Sequence, residues 1–248
     1  MEEQWTKTLK HLRLWGVLAH WDEYVALAEQ QDFSAIRLRR QVLEEESKLH
    51  TENSRRLRLH RAKIPELWRL EPFPFERQPH LNKKRVLSIY DAFEYMNKHQ
   101  NFCWIGPTGV GKTALGTAFL IQALERGYTG RYVLFPDLIN ELFRCLADHS
   151  EAQVLGRYLA YDALLIDELG YVEREPTQVG LFFTLLHKRH RRTGTLITSN
   201  LGFTEWGSFL KNAHLTAALI DRLTENSHVI NMIKCRSLRP VLQDKLEA

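Results

Sequence analysis

With 248 residues, 44% of them hydrophobic and 26% charged, the chain has room for one large domain and a small appendage, and too many core-forming residues to be disordered or fibrous. A formal charge of +4 points only weakly to a polyanionic partner, so the placement of the 34 Lys and Arg matters more than their total. No stretch approaches the roughly 20 apolar residues that span a bilayer, Met1-Glu2-Glu3 opens no signal peptide, and Cys103, Cys145 and Cys235 are too scattered for a disulfide framework or a zinc knuckle; the expectation is a cytoplasmic protein with no membrane association.

In chain order, apolar residues recur at helical spacing from Trp5 to Ala28, with Trp5, Trp15 and Trp21 reading as core or packing positions. Asp32 and Ser34 offer N-caps for a further helix, so two or three helices are expected up to about Lys63. Glu44 with Lys48 and Glu52 with Arg56 are spaced i,i+4, which suits a long helix facing solvent. Pro65 ends it, and the prolines at 65, 72, 74 and 79 prevent helix or central strand between them. These features divide the chain into a helical domain at 1–66, a proline-rich linker at 67–83 and an α/β domain at 84–248.

The last part alternates. A helix is expected near Lys84 to Lys98, then a strand at Phe102 to Ile105, a helix from Lys112 to about Arg126 closed by Gly127, and a strand at Tyr132 to Phe135. Two short helices between Asp137 and Leu159 form an insertion at 137–160. A strand at Ala163 to Asp167, a helix from Pro176 to about Arg191, a strand at Leu196 to Thr198, short helices across Thr204 to Thr224 and a strand at Val229 to Ile233 complete the pattern. Alternation of this kind predicts a three-layer α/β fold with a parallel sheet between helices.

Gly106-Pro107-Thr108-Gly109-Val110-Gly111-Lys112-Thr113 fits G-x-x-x-x-G-K-[ST] and stands directly after an apolar strand, opening a helix, where a phosphate loop has to be. Glycines let the backbone turn so that N–H groups face phosphate oxygens, and the helix N-terminus adds partial positive charge. Lys112 is expected to reach the β- and γ-phosphates of ATP and the Thr113 hydroxyl to ligate magnesium. A second apolar strand ends in Asp167-Glu168. Asp167 is placed to hold magnesium through water, and Glu168 to polarise an attacking water; the competing reading of Glu168 is a solvated loop acid. Asn200, at the end of the next strand, is either a turn residue before Leu201-Gly202 or a group that orients the water.

Together with Asp221-Arg222-Leu223, Ser237-Leu238-Arg239 and, nearer the N-terminus, Leu9 to Leu14, the Glu46 region and Arg58 to Pro65, these segments resemble the IstB family. Its members are AAA+ transposition helper ATPases related to the helicase loader DnaC and the initiator DnaA. The resemblance implies a small helical domain ahead of a P-loop ATPase core, and a homo-oligomer of ATP-bound subunits side by side on double-stranded DNA that delivers a transposase to its target. It further implies that Arg222 is an arginine finger reaching a neighbour's site, and that Arg239 is a second sensor on the γ-phosphate, with Arg236 as its competitor.

Arg55, Arg56, Arg58, Arg61 and Lys63 lie in a stretch without an acid, a density that favours a phosphate backbone through counterion release; the alternative is a solvated helix face. Arg144 and Arg157, on the two inserted helices, are further candidates for DNA phosphates, with the same alternative. The run from His187 to Arg192 ends a helix, where cations also favourably meet the macrodipole. The competing functions are a helicase loader with the same machinery, a P-loop kinase acting on a small molecule, and a nucleotide-gated scaffold without hydrolysis.

Overall fold

The computed structural model describes residues 3–29, 34–170 and 176–239, and the chain divides into two compact units, 1–57 and 58–248. In the first unit three short helices, α1 (Glu3–His11), α2 (Trp15–Ala19) and α3 (Trp21–Ala28), precede α4 (Ala35–Ala62), within which the division between units falls. Ser34 caps α4 through the Arg37 amide (3.3 Å), whereas Asp32, the other expected cap, lies outside the described residues. The N-terminus of α2 is capped from a distance: the buried Glu46 carboxylate accepts from the Val17 amide at 2.9 Å. Trp5 and Trp15 are half exposed and so are not core residues; the turn at Arg13, with φ of 59°, breaks the single helical stripe that their spacing implied.

The second unit is built on five parallel strands, β1 (Asn101–Ile105), β2 (Gly130–Leu134), β3 (Ala163–Leu169), β4 (Gly194–Ser199) and β5 (Ser227–Asn231), in the order β2-β3-β4-β1-β5. Strands β1 and β4 are buried along their whole length, as a parallel sheet covered on both faces requires. Alternate residues serve opposite layers. Phe102, Trp104 and Leu165 pack with Phe119 and Leu120 of α7 (Lys112–Glu125), while Cys103, Ile105, Leu164 and Ile166 pack with residues of α8 (Phe135–Ala147), α10 (Pro176–Arg189), α11 (Phe203–Phe209) and α12 (Ala213–Glu225).

Three local expectations change. The helix foreseen at 84–98 is two, α5 (Lys83–Ala92) and α6 (Glu94–Asn97), because Phe93 adopts a left-handed conformation (φ 54°) and buries its ring against Tyr95 and under the Arg126 guanidinium. The expected insertion is the crossover from β2 to β3, formed by α8 and α9 (Glu151–Leu159), and α8 buries Phe135, Leu138, Ile139 and Leu142 against the sheet. The segment expected as a linker belongs to the second unit, where Leu70, Phe73, Phe75 and Leu81 enter the core. Proline there denies α-helix and strand, leaving one 3-10 turn at Phe75–Arg77, without denying burial. Among the described residues no helix is long and apolar enough to cross a membrane.

Candidate nucleotide site

The carboxyl ends of β3, β4 and β1 lie side by side and are laced together past the last ladder rungs, with the Gly106 amide donating to Ser199 O at 3.1 Å and Asn200 N to Leu169 O at 3.4 Å. The loop leaving β1 turns through Gly109 and Gly111, at φ of 83° and 98°, a region that side chains with a Cβ rarely occupy. Gly111 leads into α7 with no side-chain cap and no acid in the first turn, so the helix presents bare N–H groups and its positive pole to this edge of the sheet.

Lys112 folds over the loop and donates from Nζ to the carbonyls of Gly106 and Pro107, at 2.7 Å each. Partial burial lowers its pKa, an effect the charges of Asp167 and Glu168 oppose. Asp167 is buried and accepts hydrogen bonds from three hydroxyls: Thr113 Oγ1 at 3.0 and 3.1 Å, Tyr132 at 2.8 Å, and Thr198 at closer range. Loss of solvent, and then the charge on Asp167, push the Tyr132 phenol well above its usual range.

In an uninterrupted strand, residues 167 and 168 would point to opposite faces. The pairing of β3 with β4 shifts between Ile166 and Leu169, and Glu168 takes a left-handed φ of 62°, its amide held by Thr198 Oγ1 at 3.1 Å. Such a conformation in a non-glycine residue costs about 1–3 kcal/mol. The bulge brings Glu168 into the lining of a cavity of about 500 Å³. There its carboxyl pKa is raised, first by burial and then by Asp167, against the lowering influence of Arg239 and Lys112.

That cavity also takes in Thr108, Lys112, Thr113, Asn200 and Arg239. Asn200 Oδ1 is buried without a hydrogen-bond partner among the described residues and lies against Gly170, where an added Cβ would collide with it. The opposite wall was not foreseen from sequence: Trp68, Arg69, Pro72, Phe73, Pro74 and Arg77, all from the proline-rich stretch, with Leu238, form an apolar and cationic flank. Aromatic residues among prolines were the available signal, and they read equally well as a linker. Arg222, in the last turn of α12, is outside this lining, while the Arg236 backbone is bonded to the Gln78 side chain.

The basic candidates divide by environment. Arg55 pairs with Glu52 at 3.1 Å in the first unit, where Arg56 is exposed. In the second unit Arg58 donates from Nε to Leu124 O at 2.8 Å, capping the C-terminal turn of α7. Arg61, Lys63 and Arg144 are exposed, and Arg157 is ion-paired with Glu141. Within the run from His187 to Arg192, Arg189 is 1% exposed and bonds to the carbonyls of Tyr158, Tyr161 and Gly194, at 2.8, 2.9 and 2.6 Å, and to Thr195 Oγ1. Burial lowers its pKa to about 9, so it stays charged at neutral pH.

A parallel sheet of this order, a glycine loop running from β1 into a helix and an acid-tipped strand two places along the sheet define a P-loop NTPase of the AAA+ class. Solved structures agree on the fold: DnaI (TM-score 0.52, 22% identity, covering 61% of this chain and 86% of that one) and AMPPCP-bound DnaA from Aquifex aeolicus (TM-score 0.54, 19% identity, 69% and 51%). From residue 7 to 248 the sequence matches the family described as IstB-like ATP binding protein, and the chain belongs to that family. Its relatives include a protein of insertion sequence IS21 from Pseudomonas aeruginosa, named for ATP binding, 31% identical over 77% of this chain and 71% of that one. A counterpart from insertion sequence IS232 of Bacillus thuringiensis subsp. berliner is 26% identical over 93% and 92%.

Proposed function

We propose that this protein binds and hydrolyses ATP in the cavity beside Gly106 to Thr113, and that the ATP-bound form assembles side by side on double-stranded DNA to bring a transposase to its target. The observation that carries the reading is the meeting of Thr113, Asp167 and Glu168 at one end of the sheet, with an uncapped helix N-terminus at the same edge.

In this reading the N–H groups of the loop and Lys112 hold the β- and γ-phosphates, and the flank from Trp68 to Arg77 receives the base and ribose. The Thr113 hydroxyl and, through water, Asp167 would hold magnesium; these hard oxygen donors suit it, and no group of three or more His, Cys, Asp or Glu among the described residues offers a dedicated cage for another metal. The ion supplies charge neutralisation to the phosphates. The Glu168 carboxylate takes a proton from a water oriented by Asn200, the water oxygen bonds to the γ-phosphorus, and the bond to the β-phosphate oxygen breaks to release ADP. Arg239 contacts the γ-phosphate in cis. Arg222, standing off its own cavity, serves the site of the next subunit, which makes turnover depend on assembly.

The near full-length match to insertion-sequence proteins supports a transposition helper over a helicase loader. Exposed Arg56, Arg61, Lys63 and Arg144 supply phosphate contacts in this scheme. The test is Glu168→Gln assayed for phosphate release with duplex DNA: turnover falls at least about 100-fold while ATP-dependent DNA-bound assemblies persist. Undiminished turnover contradicts the reading.

A further inference from the structure

Gln78 is 1% exposed and uses its whole side-chain amide on backbone of two other segments. Oε1 accepts from Arg236 N at 3.1 Å and Nε2 donates to Arg236 O at 2.6 Å, a two-point match to a single residue's backbone. The same Nε2 donates to Val110 O at 3.1 Å, in the middle of the phosphate loop. Two positions further along the C-terminal segment, Leu238 N donates to Gly109 O at 2.8 Å. The loop's two central carbonyls, at 109 and 110, are thus both gripped from outside.

No slack separates these parts. A Cβ added to Gly109 would meet Ser237 Oγ at 2.6 Å, and one added to Gly111 would meet Phe73 at 2.7 Å and Leu238 at 3.1 Å. Residues 236–239 therefore lie as a strap directly on the phosphate loop, and the strap ends in Arg239, which lines the cavity. A buried amide with every polar atom paired is costly to leave half-satisfied, so the three segments hold one another in register.

We infer that Gln78 is a positioning residue that locks the strap of residues 236–239 to the phosphate loop and so sets Arg239 against the γ-phosphate, making Gln78 a determinant of the preference for ATP over ADP. This rests on the reading of Arg239 given above. Loop and strap share hydrogen bonds through Gln78, so a change in either is passed to the other, whereas a residue that merely filled the core would affect both nucleotides alike.

The experiment measures the affinities of a non-hydrolysable ATP analogue and of ADP, both with magnesium, for the full chain and for Gln78→Met, Gln78→Asn and Arg239→Ala, with melting temperature as the check on folding. Gln78→Met keeps length and burial and removes all three hydrogen bonds; Gln78→Asn keeps the amide one carbon short of its partners. Both are expected to lose about tenfold or more of the analogue-to-ADP preference, matching Arg239→Ala, and to add little in the Arg239→Ala background. Amide exchange in the unmodified protein gives a readout free of variants: the analogue slows exchange at 236 and 238 more than ADP does. Retained preference in the Gln78 variants where Arg239→Ala loses it, or exchange at 236 and 238 indifferent to the nucleotide, overturns the inference. Retained preference in Arg239→Ala itself identifies the failure as that of the sensor reading, and the role of Gln78 falls with it.

Discussion

Thr113 donates its hydroxyl hydrogen bond to both oxygens of Asp167, at 3.0 and 3.1 Å, across 54 positions of sequence. The contact exists because α7 starts where β1 stops and β3 ends two strands away with its acid in register. Tyr132 and Thr198 complete a collar of hydroxyls around that carboxylate. Thr113→Val removes one donor from the collar, a loss of about 1 kcal/mol in stability, and removes the hydroxyl proposed to hold magnesium. The expected outcome is a folded protein whose ATP affinity no longer rises when magnesium is added; nucleotide titration with and without the ion checks it.

Most of the sheet was legible because its strands are apolar runs bounded by glycine and turn residues, and the phosphate loop was legible because its chemistry fixes residue types at fixed spacing. The acid pair was visible, but not the means by which two adjacent carboxylates serve one site, since the left-handed backbone at Glu168 is imposed by pairing with β4 and leaves no mark in composition. Phe93 shows the same override: its ring is drawn into the core at the expense of helix continuity. The wall from Trp68 to Arg77 and the role of Gln78 were illegible for a different reason, because burial against distant segments cannot be read from a stretch that local rules mark only as unable to form helix or strand.

Arg58 and its neighbours separate helix capping from phosphate binding. Arg58→Ala is expected to lower stability by about 1 kcal/mol through loss of the charge-assisted bond to Leu124 O, which keeps the Gly127 amide as a donor, with little effect on the salt dependence of DNA binding. Arg61→Ala and Lys63→Ala should leave the melting temperature nearly unchanged and each reduce the slope of log affinity against log salt by about one. Thermal melts and DNA titrations at several salt concentrations distinguish the two behaviours.

Arg189 holds three carbonyls together at the amino-terminal end of β4. Arg189→Met leaves them buried and unpaired, and a destabilisation of about 3–5 kcal/mol is expected. Arg189→Lys should recover little of it, since an ammonium cannot reproduce the planar fork. Denaturant unfolding of the two variants measures the effect.

His228 on β5 is half-buried, 3.0 Å from Gln100 Oε1 and with its ring against Phe102, and its pKa is lowered by burial and then by the charge of Arg85. Below the ordinary histidine value near 6.5 the unfolded chain binds a proton that the folded protein resists, so this residue makes stability rise with pH up to about neutrality and fall as pH drops through that window. His228→Gln is expected to flatten this part of the stability profile on the acid side of about neutrality, and Arg85→Ala to flatten it partially. Unfolding midpoints across that range supply the check.

In the proposed function the loop from Gly106 to Thr113 and the flank from Trp68 to Arg77 together hold magnesium-bound ATP. Calorimetric titration of the full chain and of Lys112→Ala with ATP and magnesium tests it most directly. Saturable one-site binding is expected, weakening at least about tenfold in the variant, as loss of a charge-assisted contact to phosphate requires. Absence of binding in the unmodified protein, or undiminished affinity in Lys112→Ala, would contradict it.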